Sequence, residues 1–122
     1  MDPNATITTE TGAQKIGKQV SINFQKDQSI NDLDRLYDVL LHHKHMMNVY
    51  QISSSEAVDI NLHNLLNTCR HRLQQQHGKV LDTLFNMGEY TADIAPPSQV
   101  KDISAVFMGY LNQLPYKTKM PH

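Results

Sequence analysis

The sequence is short of most features that mark catalytic or membrane proteins. A single cysteine, Cys69, leaves no intrachain disulfide framework and no thiolate zinc cluster. No apolar run approaches the ~20 residues that a spanning helix needs, so no membrane span is expected. Neither sign of charge dominates: 11 Lys and Arg stand against 12 Asp and Glu, for a net charge of −1. The basic footprint of nonspecific nucleic-acid binding is therefore absent, and no nucleic-acid partner is expected. Gly-rich phosphate loops, a Gly-x-Ser-x-Gly elbow and dinucleotide fingerprints are all missing. The opening Met-Asp-Pro-Asn-Ala-Thr has neither a basic region nor an apolar core. A secretory leader is thus not expected, and folding in a reducing cytosol is.

What remains is 122 residues, 39% of them hydrophobic, enough for one small domain. Three regions are distinguished: a polar tail and arm over 1–28, a helical body over 29–116 and a C-terminal tail over 117–122. Residues 1–12 are Thr-rich, contain Pro3 and end at Gly12, which predicts a disordered tail. Over 13–28, Val20, Ile22 and Phe24 alternate like a short strand, while Ile16 and Val20 would share a helical face. Both readings stay open, and an arm lying across the body is the default.

The body reads as all-α. Ser29, three residues before Asp32, suggests a capping box that opens a helix over about 30–56. Leu33, Leu36, Tyr37, Leu40 and Met47 recur at three- and four-residue spacing and define one face. Asp59 or Asn61 can cap a second helix, with a face of Leu62, Leu65, Leu66, Cys69, Leu73, Val80, Leu84 and Met87. Gly88 then supplies the left-handed residue that ends it. Gly78 lies inside this helix and marks a close contact or a bend. After Pro96 and Pro97, Ser98 can cap a third helix with Val100, Ile103, Phe107, Tyr110, Leu111 and Leu114 on its face and Pro115 closing it. The expected architecture is an antiparallel hairpin of two long helices with a shorter third leaning on it and covering Leu81 and Phe85, which lie off the main stripe.

Polar residues within the stripes are the informative exceptions. On a 100° wheel, Lys44 and Gln51 fall inside the first stripe, and Gln76 and Thr83 inside the second. A buried ammonium needs a partner or must reach water along its stem. Lys44 therefore either snorkels to water or sits with Gln76 in a polar layer that fixes register, or in a ligand or metal layer. The histidines invite a metal reading: His42, His43 and His45 on the first helix, His63, His71 and His77 on the second. Di-iron bundles, however, place Glu residues and two Glu-x-x-His motifs inward, and this chain has neither. His42, His45 and His71 point away from the stripes, and His43 and His77 border them. Cys69 sits in the apolar stripe, where a thiol behaves as a small hydrophobe. The five tyrosines, Tyr37, Tyr50, Tyr90, Tyr110 and Tyr116, read as amphipathic edges of the bundle. No catalytic, cofactor-binding or metal-ligating residue is assigned, and no enzyme activity is expected.

Residues 36–95 resemble the coat F family of bacterial endospore coat proteins. The similar elements are Leu40-Leu41-His42-His43-Lys44 with Tyr50 six residues on, and Asp59-Ile60-Asn61-Leu62. The most distinctive is Val80-Leu81-Asp82-Thr83-Leu84-Phe85-Asn86-Met87-Gly88-Glu89-Tyr90, followed by Ala95. Where this chain has His43 the family often has an acidic residue, and where it has Glu89 often an aromatic one. The resemblance implies a ferritin-like helical bundle with no catalytic site. It also implies a structural role in the spore coat beside other coat proteins, after synthesis in the mother-cell cytoplasm.

Two alternatives stand beside it: a ferritin-like bundle binding a metal or small ligand, and an adaptor bundle unrelated to spores. Leu41, Met46, Val49 and Ile52 lie off the main stripe, and three helices leave one side of the hairpin uncovered; the cover is the arm at 13–28 or a second subunit, and a homodimer with part of helix 1 or helix 3 in its interface is expected. Protein purified without a histidine tag should hold less than about one tenth of an equivalent of iron, manganese or zinc, because the inward carboxylates are missing. Stoichiometric metal surviving dialysis in an elemental analysis would contradict this.

Overall fold

The computed structural model describes residues 1–114, so the expected C-terminal tail at 117–122, Tyr116 and the role given to Pro115 lie outside the described residues. Three helices dominate: α1 (Asp32–Glu56), α2 (Ile60–Asn86) and α3 (Pro97–Gly109). Three short strands accompany them, β1 (Thr6–Thr8), β2 (Gln14–Ile16) and β3 (Ala92–Asp93), in the order β1-β2-β3. The chain divides into two compact units, Met1–Ala92 and the part from Asp93 onward. The fold is all-α in character, as expected, with two long helices packed as a hairpin and a shorter third.

Local chemistry explains the helix ends. The cap of α1 is Asn31, not Ser29: its side chain accepts from the Asp34 N–H at 2.9 Å while its own N–H donates to Asp34 Oδ2 at 3.0 Å. This reciprocal box also puts Asp32 and Asp34 at the positive end of the helix dipole. Asp59 caps α2 by accepting from the Leu62 N–H at 2.8 Å. With so compact a cap, a connection of only Ala57, Val58 and Asp59 reverses the chain.

Gly88 ends α2 as the sequence predicts, at φ +79°. The Gly88 N–H donates to Phe85 O at 3.0 Å and the Glu89 N–H to Leu84 O at 2.9 Å, the paired bonds of a Schellman motif. The glycine has a second reason. A Cβ there would stand 2.5 Å from the Gln19 carbonyl and 2.6 Å from the Val20 nitrogen. The N-terminal segment crosses the end of the hairpin at this point.

That segment departs from the disorder expected over 1–12. β1 and β2 pair antiparallel, Thr6 opposite Ile16 and Thr8 opposite Gln14, around a turn with Gly12 at φ +87°. Beyond β2 the chain is neither strand nor helix but the arm taken as the default. The Ser21 N–H donates to Met87 O at 3.0 Å, Lys18 Nζ to Asn86 Oδ1 at 2.6 Å, and Lys18 lies 5.9 Å above the Phe85 ring. Phe24 packs with Leu36, Val80, Leu81 and Tyr90 against the core of Leu33, Leu40 and Leu84. Within the first unit Lys18 thus lies over Phe85, and Leu81 packs against the core. The arm succeeds because extended backbone can follow the end of the hairpin and hand its polar groups to the free carbonyl of Met87.

The second unit is described by itself. α3 begins at Pro97 with no side-chain cap, rather than from Ser98, and stops at Gly109, before a short 3₁₀ turn over Leu111–Gln113. None of its residues is buried; Val100, Ile103, Val106, Phe107 and Met108 are half or more exposed. Gly78 is not a close contact: a Cβ there would meet nothing within 4 Å.

The two glycines should therefore respond oppositely. Gly88→Val should destabilise by about 2 kcal/mol or more, from positive φ plus the clash with the arm. Gly78→Ala should stabilise by roughly 0.5–1 kcal/mol, because open space receives the methyl and the unfolded chain loses freedom. Urea titrations of both variants check the pair of signs.

Candidate functional site

The chemistry of the hairpin is concentrated in the seam between α1 and α2. On α1 the side chains turned from solvent are Leu33, Leu36, Leu40, His43, Met47, Tyr50 and Ser54. On α2 they include His63, Leu66, Arg70, Leu73, His77, Val80 and Leu84. Both series alternate steps of three and four residues, the 3.5-residue repeat of helices that stay in contact over several turns. At one end the seam is aliphatic, with Leu33, Leu40 and Leu84 at most 8% exposed. Toward the α1–α2 turn it becomes polar.

This repeat corrects the predicted faces. A straight 100° wheel drifts about 20° per heptad against a 3.5 repeat. It therefore passes Lys44 and Gln51 where the real seam holds His43 and Tyr50. Lys44, Gln51, Gln76 and Thr83 are all exposed, so no Lys44–Gln76 layer forms. Leu62 and Leu65, assigned to the second face, are 47% and 59% exposed, and His63 takes the inward place. Cys69 is a free, half-buried thiol beside the seam.

Four polar seam residues solve their burial differently. Ser54, 3% exposed, returns its hydroxyl to Gln51 O at 3.0 Å. His63 Nδ1 lies 2.7 Å from Ser54 O, and its Nε2 lies 3.0 Å from Asn67 Nδ2. A carbonyl on one side and an amide donor on the other select the neutral ring with its proton on Nδ1. This bond ties the two helices together next to their turn. His43 and His77 meet edge-on, ring centroids 6.1 Å apart, and their Nδ1 atoms are buried without a hydrogen-bond partner among the described residues. Burial first, then the charge of Lys44 and the His43 ring, hold the His77 imidazole below its ordinary value of 6.5.

The remaining expected positions lie outside the seam. His42, His45 and His71 are exposed, and His42 Nδ1 approaches Asp38 O at 2.9 Å. Asp38, Leu41, His42 and His45 line a shallow groove on the outer face of α1. Among the described residues no three His, Cys, Asp or Glu side chains are placed to hold a metal ion, and no helix is long and apolar enough to cross a membrane. Tyr37 donates from its hydroxyl to Glu89 O at 2.5 Å, which fastens α1 to the chain after α2. Burial and the Glu89 carboxylate raise the phenol above its usual 10, so it remains a donor. The arrangement holds the two helices together, with the His63–Ser54 bond tying them near their turn.

Substitutions should separate the seam from the outer face. His63→Ala should cost about 1–3 kcal/mol, since it strips a buried carbonyl and amide of their partner. Lys44→Ala and Gln76→Ala should each stay within roughly 0.5 kcal/mol, and their double variant should be additive. Chemical unfolding of the four proteins provides the check; coupling between Lys44 and Gln76 would restore the polar layer.

No curated protein and no solved structure matches the chain. The family model of the coat F domain does match, over residues 31–93. The match opens on the Asn31 cap, contains both helices of the seam and closes on β3. It covers just over half of the 122 residues. The helical hairpin with its polar seam is thus the portion shared with that family, and the chain belongs to the coat F domain family.

Proposed function

We propose that the protein is a structural component of the bacterial endospore coat, acting through protein–protein contacts during coat assembly and performing no catalytic step. The observation that carries this reading is the coat F match, which coincides with one structural unit, the capped hairpin from Asn31 to Asp93. On this reading the protein is made in the mother-cell cytoplasm and laid down beside other coat proteins.

The surface of the hairpin supports an interaction role. Leu41, Met46, Val49 and Ile52 on α1 and Leu62 and Leu65 on α2 are 40% to 64% exposed. Apolar area of this kind on a small protein commonly marks a contact surface. A second copy packed by two-fold symmetry would turn two hairpins into the four-helix, ferritin-like arrangement that the resemblance implies, so the reading includes a homodimer.

Two measurements test it. In a spore former carrying this chain, antibody against it should find the protein in the coat fraction of purified spores and not in vegetative cells. Detection throughout growth, with none in the coat, would end the proposal. Light scattering over a concentration series should give a dimer mass, lowered toward the monomer by Met46→Glu with Leu65→Glu. A monomer at the highest concentration would remove the dimer and leave the coat role to heterotypic contacts.

A further inference from the structure

The middle of the hairpin is free of acid. Between Asp38 and Glu56 on α1, and between Asp59 and Asp82 on α2, there is no Asp or Glu. The same two stretches carry Lys44, Arg70, Arg72 and Lys79, and six of the seven histidines: His42, His43, His45, His63, His71 and His77. The carboxylates stand at the ends, with Asp32, Asp34 and Asp38 at one side of this belt and Glu56 and Asp59 at the other. Acidification therefore adds cations to a belt that holds no acid of its own; of its histidines, the exposed His42 has a carboxylate beside it, Asp38 Oδ1 at 3.4 Å from its Nδ1.

Within the belt one contact is exposed to this effect more than the others. His43 from α1 and His77 from α2 touch across the seam, both with a buried, unpartnered Nδ1. From α1, His43 and Lys44 act on His77; on its own helix, Arg70 holds the seam position two turns earlier, with its Nε likewise buried and unpartnered. Arm residues contribute no anion there: Phe24 goes to the Leu33–Leu40–Leu84 cluster and Lys18 to Asn86. The next carboxylate along α2, Asp82, is exposed and paired with the Met1 amine.

We infer that the His43–His77 contact makes the hairpin an acid-sensitive clasp, closed at neutral pH and loosened by protons. A proton on either ring places a new cation in the seam beside Lys44 and the other ring, with no carboxylate to offset it. The direction follows by linkage. His77 binds its proton less readily folded than unfolded, so its contribution to stability is complete above pH 6.5. It is lost as the pH falls through and below that value.

Thermal melts of the full chain, followed by circular dichroism between pH 8 and pH 5, test the clasp. The wild type should lose about 5 °C or more in Tm on going below pH 6. H43Q/H77Q should retain less than half of that loss, and H42Q/H45Q should retain all of it. A wild-type Tm that does not fall with pH, or a full loss persisting in H43Q/H77Q, overturns the inference. Should H43Q/H77Q fail to fold, imidazole NMR of the wild type decides: the His77 midpoint must lie below 6.5, and a midpoint at or above that value overturns the inference.

Discussion

Two stripes of side chains, each repeating every 3.5 residues, hold α1 against α2, and the rest of the first unit depends on that seam. Neither helix has a strong reason to stand alone, because long helices in water draw most of their stability from a packed face. The aliphatic end supplies that face through Leu33, Leu40 and Leu84. The end near the turn instead uses Ser54, His63 and Asn67, of whose hydrogen bonds the one from His63 Nδ1 to the Ser54 carbonyl crosses between the helices and depends on register. Apolar burial thus provides most of the driving force, and the polar end fixes which residues face each other.

The open end of the hairpin would expose Phe85 and the last carbonyls of α2. The N-terminal arm resolves both problems at once. Ser21 takes the Met87 carbonyl, Lys18 takes Asn86 and covers the Phe85 ring, and Phe24 extends the core. Gly88 is where these demands converge, since helix termination needs positive φ and the arm needs room against the backbone. The family match begins at Asn31, after the arm, and contains the hairpin.

Charge is arranged along the hairpin rather than across it. Asp32, Asp34 and Asp59 stand at helix N-termini, where the dipole favours them, Glu56 and Asp82 stand toward the opposite ends, and the middle is left to histidine, lysine and arginine. Six histidines in an acid-free belt give the hairpin a charge that varies over the range where imidazole titrates. The outer surface adds apolar residues without a cover in the first unit, which fits a protein whose partners complete it.

The sequence by itself determined the helices, the short turn at Asp59, the stop at Gly88 and the coat F resemblance. Each depends on local spacing, caps or a glycine, and those operate within a few residues. It placed Leu33, Leu36, Leu40 and Met47, and Leu66, Leu73, Val80 and Leu84, on the facing sides, but not the polar residues that share those sides. Lys44 and His43, or Leu62 and His63, are neighbours on the wheel, and the choice between them needs the 3.5-residue path that two helices adopt only when wound against each other. Nor could it locate the arm, whose Val20, Ile22 and Phe24 suit a strand as well as a strap; the Met87 carbonyl and the Phe85 ring decide that from sixty residues away. The acid-free belt was present in the residue order throughout, but its meeting point at His43 and His77 exists only across the seam, because long-range packing sets which rings lose water together.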